Sequence, residues 1–337
     1  MPSGFKVAVL EPTELVGAEI VRVLDERGFP LSGLVLLGTR RSAGERVEFQ
    51  GRDVPVTLAD STSFRGVDLA FFSCDRAMSA EHTGAARASG ATVIDLSGRH
   101  TLQDDVPFVV PEVNAEALKQ GHGIIACPRG VTIQLGLSLA PIHRDARITR
   151  ITATVFHAVS DHGARAMDEL TAQVRELFSF REPSGQVFPQ QIAFNCLPQV
   201  GPFTEGGYSE DELVIATETR RILGDPEIRM SVTCVQVPVF YSHGVSVVVE
   251  TERKLSPERA REILGKAPGV SLEDEPASGV YPTPVAAAGT DECLVGRIRQ
   301  DLGAPNGIAL WTACDNIRKG SALNAVQIAE ALFRPRA

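Results

Sequence analysis

The sequence predicts an α/β protein: a doubly wound parallel sheet in the N-terminal part, then a second domain of α+β character. Three observations predict it. Short apolar runs alternate with amphipathic helical stretches through the first half. Beyond about residue 145 the pattern changes to β-branched alternation, as in half-buried strands. A chain of 337 residues is also long for one core, so two domains are expected.

The elements follow in order. Phe5 to Leu10 is a short apolar run, as in a buried parallel strand. Val16, Ile20, Val23 and Leu24 keep helical spacing, with Gly28 as the stop. Leu34 to Leu37, Leu69 to Phe72 and Thr92 to Asp95 read as further strands, with a helix from Ser79 to Gly90. Such a sheet binds ligands at the carboxyl ends of its strands. Past the shift, Ile148 to Phe156 alternates, and Met167, Leu170, Val174, Leu177 and Phe178 return to helical spacing. Pro183 to Gln191 is a polar connection. Met230 to Phe240, Gly244 to Glu250, Glu292 to Arg299 and Gly307 to Cys314 alternate like antiparallel strands. Ser256 and Pro257 open a helix as N-cap and first helical residue, and a last helix runs from about Gly320 to Phe333.

Composition excludes several classes. A net charge of −9 argues against a nonspecific nucleic-acid binder, which needs a basic face. No apolar run approaches the roughly 18 residues of a membrane span. Met1-Pro2-Ser3-Gly4 leads straight into strand-like sequence without a signal-peptide core, so a cytoplasmic location is expected. The six cysteines are scattered and form no Cys-x-x-Cys pair, which reads as reduced, mostly buried thiols rather than a disulfide frame or zinc site.

The chemistry centres on Ala126-Cys127-Pro128-Arg129-Gly130-Val131-Thr132-Ile133-Gln134. A strand (Gly123 to Ala126) turns here into a helix running through Leu135, Leu137, Leu139 and Ala140. A helix N-terminus offers unpaired N–H groups and a positive dipole end, which stabilise a thiolate or oxyanion. The stretch resembles the catalytic segment of aspartate-semialdehyde dehydrogenases, Ala-Asn-Pro-Asn-Cys-Ser-Thr-Ile-Gln. The resemblance continues through Arg41 to Gly44, Val109 to Asn114, Phe188 to Asn195, Glu218 to Pro226, Tyr281 to Pro284, Gly296 to Arg299 and Asp315 to Gln327. It implies a glyceraldehyde-3-phosphate dehydrogenase-like architecture. A Rossmann-like NAD(P)-binding domain would span residues 1–130, completed by a C-terminal helix over 319–337. A semialdehyde dehydrogenase-type catalytic and dimerisation domain would span 131–318.

Taken residue by residue, the resemblance also marks losses. The family's nucleophilic cysteine falls on Gly130, which has no side chain to attack anything. The glutamine that helps place the substrate falls on His157, and the arginine that pairs with its carboxylate on Gln236. A neutral amide cannot replace the charged fork of arginine. The phosphate-site arginine and lysine fall on Thr101 and Val214. The acid/base histidine is retained as His243. Cys127, beside Arg129, is a substitute nucleophile only if the loop is rebuilt, because three residues of extended chain span ~10 Å. His157 and His162 lack an evident third ligand, so no metal site is expected. In the phosphate loop, Glu11-Pro12-Thr13-Glu14-Leu15-Val16-Gly17 keeps Thr13, Val16 and Gly17 of the family's Gly-Ala-Thr-Gly-x-Val-Gly. Glu11 and Glu14 are expected to face the pyrophosphate. Thr39, Arg41 and Ser42 fall where the family holds the 2′-phosphate of NADP, and Gln327 is a further cofactor position. Asp75 replaces a third nucleotide-facing glycine.

The expectation is a homologue closest to the Usg-type paralogues: a homodimeric pseudoenzyme with weak or absent NADP binding. Its role would be structural or regulatory, through an unknown protein partner or small molecule, with no nucleic acid and no membrane involved. The alternative is an active NADP-dependent oxidoreductase on an aldehyde or semialdehyde, in amino-acid biosynthesis.

Overall fold

The computed structural model describes residues 4–120 and 123–333, so Met1 to Ser3 and residues 334–337 of the expected domain and helix lie outside the described residues. The chain forms two compact units, Met1–Arg129 with Ser321–Ala337, and Gly130–Gly320.

The first unit is built on β1 (Phe5–Leu10), α1 (Leu15–Glu26), β2 (Leu31–Gly38), β3 (Arg46–Phe49), β4 (Arg52–Leu58), β5 (Leu69–Phe72), α2 (Arg76–Ala88), β6 (Thr92–Asp95), α3 (Pro111–Asn114) and β7 (Ile124–Ala126). Its seven-stranded sheet has the order β3-β4-β2-β1-β5-β6-β7. The reversal of direction along the chain at β1 is the topological switch point where open α/β sheets bind ligands. Val7 to Leu10 and Leu69 to Phe72 are fully buried, as strands covered on both faces must be. All pairs are parallel except β3 with β4, an edge hairpin absent from the sequence reading. Its turn, Gln50-Gly51, has φ 52° and 70°, the left-handed pair that a tight hairpin turn requires. Pro55 sits where β4 exchanges one partner for the other, β3 before it and β2 after it. The C-terminal helix, Asn324–Phe333, belongs to this unit. Phe333 packs on Phe5 with ring centroids 4.6 Å apart, and Arg27 forms a two-bond ion pair with Glu330. The expected start of this helix at Gly320 is corrected: residues Arg318–Leu323 form a π-helical turn, and the α-helix begins at Asn324.

The second unit contains α4 (Gly130–Ala146), β8 (Ile148–His157), α5 (Ala164–Phe178), α6 (Glu210–Leu223), β9 (Arg229–Gln236), β10 (His243–Thr251), α7 (Pro257–Leu264), β11 (Val270–Leu272), α8 (Pro284–Ala287), β12 (Cys293–Gln300) and β13 (Gly307–Cys314). The six-stranded sheet runs β11-β12-β13-β10-β8-β9. The four inner strands pair antiparallel, as expected. The edges do not: β9 is parallel to β8 and β11 parallel to β12, which corrects the reading of Met230 to Phe240 as an antiparallel strand. Period-2 alternation carries no strand direction, and β9 follows α6, a crossover of the kind that parallel pairing needs. Val131 to Ala140 of α4 are all buried, the all-round burial of a helix inside a core. Helix α6 escaped the sequence reading although its capping box, Ser209-x-x-Glu212, is complete: Ser209 Oγ accepts from Glu212 N and Glu212 Oε2 from Ser209 N.

Candidate active site and nucleotide cleft

In the first unit, the β1–α1 loop lies beside the end of β2. Glu11 stands at φ 52°, a left-handed conformation usually left to glycine. Its N–H donates to Leu37 O at 2.7 Å. Its carboxylate does not face outward toward a pyrophosphate, as the sequence suggested; Oε1 accepts the Thr39 N–H at 2.8 Å. Glu14 likewise turns to Arg41, with 3.6 Å between charged atoms. Gly17 is held to glycine by its neighbour, since a β-carbon there would stand 2.1 Å from Glu11 O. Thr13 is half-buried on the same loop and Val16 half-buried in the first turn of α1, and Ser42 is buried with Oγ donating to Thr39 O at 3.5 Å. Asp75 caps α2, accepting Met78 N–H at 2.8 Å, which accounts for an acid in place of glycine. Gln327 donates to Glu112 Oε1 at 2.8 Å. A 2′-phosphate does not fit these residues: the amide of Thr39 already holds a carboxylate, and the guanidinium of Arg41 faces another.

Cys127 lies buried at the end of β7 and accepts Asn324 Nδ2–H at 3.2 Å, a packed position rather than that of an exposed nucleophile. Cys74 has its thiol pushed far up by burial and by the charges of Asp95, Asp75 and Glu11. Thr101 is buried, with Oγ1 donating to Gly98 O at 3.3 Å.

In the second unit, Gly130 opens α4 and packs on the backbone of residues 316–320. A β-carbon there would lie 3.2 Å from Gly320 O and 3.6 Å from Asn316 O. Asn316 Oδ1 accepts Ser242 N–H at 2.9 Å, and its side chain exchanges hydrogen bonds with Ser160 Oγ. Ser242, at φ 72°, leads into His243 at the start of β10. Gln134 fixes the same corner from α4, donating to Thr312 Oγ1 at 2.7 Å and His243 O at 3.3 Å. Val214 is buried on α6 and contributes no charge.

His243 is buried, and its Nδ1 accepts the Ala158 N–H at 3.1 Å. That bond puts the proton of the neutral ring on Nε2, which faces Asp161 Oδ1 at 3.5 Å. His157, also buried, places Nδ1 3.3 Å from Asp161 Oδ2, while its Nε2 is buried without a hydrogen-bond partner. Asp161 is thus an acceptor shared by two imidazoles 4.8 Å apart. Burial works against its ionised form, but the two histidines outweigh that and hold the carboxyl well below its ordinary range. Burial lowers His157 below its ordinary value against the upward pull of Asp161. Asp161 was missed in the sequence; the signal available was its place four residues after His157.

Donor atoms of His157, Asp161 and His243 all lie within 4.8 Å of one another, a grouping that could hold a metal and that the sequence did not foresee. The Ala158 bond decides against coordination, because a ligating Nε2 would leave His243 Nδ1 protonated against another N–H donor. The trio suits proton exchange. His162 is not part of it: its Nε2 meets Gln236 Oε1 at 3.1 Å, and Gln236 Nε2 donates to His157 O at 2.8 Å. Gln236, buried at the end of β9, is therefore spent on its neighbours instead of offering a charge to a ligand.

A doubly wound parallel-sheet unit and a mixed-sheet unit that holds two buried histidines around one carboxylate define the class of two-domain dehydrogenases. Comparison narrows this. The description "Semialdehyde dehydrogenase, NAD binding domain" matches residues 6–121, and "Semialdehyde dehydrogenase, dimerisation domain" matches residues 139–319. The chain is 44% identical over 335 residues to aspartate-semialdehyde dehydrogenase of Aquifex aeolicus, covering 98% of both, and 41% identical to that of Synechocystis, again covering 98% of both. Its fold superposes with a TM-score of 0.95 on aspartate semialdehyde dehydrogenase II from Vibrio cholerae, solved in complex with ASA; identity is 39%, with 99% of this chain and 100% of that one covered. The chain belongs to the aspartate-semialdehyde dehydrogenase family. It has the family's NAD-binding, Rossmann-like domain and its dimerisation domain. No helix among the described residues is long and apolar enough to cross a membrane.

Proposed function

We propose that this chain is a Usg-type family member that has lost the covalent dehydrogenase cycle and serves as a cytoplasmic homodimer in a structural or regulatory role. One observation carries the reading: the nucleophile position, Gly130, is a glycine packed against the Gly320 carbonyl. Without a thiolate no covalent intermediate forms. Gln236, Thr101 and Val214 support it, since none offers the cation that a carboxylate or phosphate needs. Binding of NADP is weak or absent on this reading, because Glu11 and Glu14 occupy its 2′-phosphate contacts.

The test is NADP- and phosphate-dependent oxidation of aspartate semialdehyde by the purified chain. Negligible turnover is expected. Turnover near that of the relatives, abolished in Cys127→Ala, would overturn the proposal. A second reading rests on the paired histidines: His243 with Asp161 keeps an acid/base couple, as an oxidoreductase acting on an aldehyde without a cysteine would need.

A further inference from the structure

The Glu11 carboxylate is held from several sides. Its backbone N–H is bound to β2 through Leu37 O, its carbonyl is seated against Gly17, and Oε1 caps the Thr39 amide just past the end of β2. Bulky L-residues enter the left-handed region at a cost, so a glutamate kept at φ 52° has its side chain aimed by the backbone. Where a parallel sheet binds a dinucleotide, the end of the second strand decides what the adenosine ribose carries. A carboxylate there accepts hydrogen bonds from a free 2′-hydroxyl, and an arginine holds a 2′-phosphate. Here the carboxylate comes from the first loop but reaches the same backbone, while the nearby Arg41 is drawn toward Glu14.

We propose that Glu11 makes this cleft select against 2′-phosphorylated nucleotides and accept a dinucleotide with a free ribose 2′-hydroxyl, that is, NAD rather than NADP. A 2′-phosphate would bring like charge against Glu11 and compete with it for Thr39 N–H; a ribose hydroxyl is a donor to the same carboxylate. The inference rests on the proposed refusal of NADP but not on the loss of catalysis, and its readout is binding alone.

The experiment is titration calorimetry of the full chain with NAD and with NADP, repeated on Glu11→Gln and Glu14→Gln, singly and together. Gln at 11 keeps an acceptor for Thr39 N–H, and Glu14 is exposed, so folding is expected to survive; circular dichroism checks it. Wild type should bind NAD at least about tenfold more tightly than NADP, and the double variant should lose that preference, with NADP gaining at least about tenfold and NAD weakened because the amide at position 11 keeps only the oxygen that serves Thr39 N–H. Glu14→Gln alone should shift the ratio the same way by releasing Arg41. Equal or tighter NADP binding by wild type overturns the proposal. So does a ratio unmoved by the substitutions, or absence of binding of either nucleotide to every protein. Turnover, measured separately, bears only on the proposed function.

Discussion

Gly130 packs against Gly320 so closely that a β-carbon on the first would stand 3.2 Å from the carbonyl oxygen of the second. The contact is backbone on both sides, so it yields only by moving the start of α4 or the turn that follows Asn316. Gly130→Cys is therefore expected to destabilise the chain by roughly 1 kcal/mol, offset in part by replacing glycine in a helix. It should not restore aspartate-semialdehyde oxidation, because Gln236 remains a neutral amide bonded to His157 O. Thermal unfolding and the coupled assay read the two effects. Substantial rescue by this single change would show that the missing cations matter less than the missing thiol.

The His157–Asp161–His243 group predicts a pH dependence whose sign can be worked out. Burial holds folded His157 below the ordinary histidine value of about 6.5. Between that folded value and about 6.5 the unfolded chain binds a proton that the folded chain does not, so stability falls as pH falls through this window. Asp161, held low, contributes stability above about 4 that is lost as pH drops toward its folded value. Urea midpoints should accordingly decline from about pH 7.5 to about 5.5, and His157→Gln should lessen that slope. It should not abolish it, since burial also depresses His143. An unchanged slope in His157→Gln would mean that the ring is charged in the folded state.

How far the sequence was legible depended on what each residue needed to know. Val7 to Leu10 and Leu69 to Phe72 are strands because both faces are covered, and an unbroken apolar run says so locally. Arg46 to Phe49 and Arg52 to Leu58 form an edge hairpin, where one side is solvated and the residues are charged, so apolar patterning is weak. Gly130, His243 and Gln236 were singled out by family motif alone. Their partners were not: Ser160 and Asn316 lie 156 positions apart, and only the fold brings them together. Cys293 and Cys314 read as scattered thiols, yet both are buried at the ends of two paired strands, β12 and β13. The orientation of Glu11 could not be read at all, because its aim comes from a backbone angle and not from residue type.

A buried carboxylate in the second unit makes a sharper stability prediction. Glu169 on α5 accepts the N–H groups of Gln186 and Val187 at 2.6 Å each and that of Phe188 at 3.3 Å. It thereby anchors the polar connection against the cluster of Val159, Leu170, Phe188, Ile192 and Leu197. Glu169→Ala removes the charged acceptor of three amides, one buried and two part-buried, and should cost roughly 1.5–3 kcal/mol, more than most surface changes. Hydrogen exchange should rise at residues 186–188 before it rises on α6. A loss under about 0.5 kcal/mol would mean that water replaces the carboxylate without penalty.

The expected homodimer rests on the outer face of the six-stranded sheet. Cross-strand pairs put Thr152, Val248 and Ala309 in one row and Phe156 beside Gly244 in another. The Trp311 ring lies over Gly244, 5.4 Å from the Phe156 ring, with Nε1 donating to Pro282 O at 3.1 Å. Beside it lies a depression of about 320 Å³, lined by Ser246, Trp311, Tyr281, Pro282, Arg297 and Arg299. Apolar area of this kind is stabilised by burial at roughly 25 cal/mol per Å², before the costs of association. Two-fold pairing is the commonest way for identical chains to cover such a face, and the dimerisation-domain match spans all of these strands. Val248→Glu places a charge in the middle row, where a partner would have to desolvate it. Sedimentation at low micromolar concentration should find a dimer for the wild type and a folded monomer for Val248→Glu. A wild-type monomer with intact secondary structure would remove the dimer, and with it the scaffold role proposed for this chain.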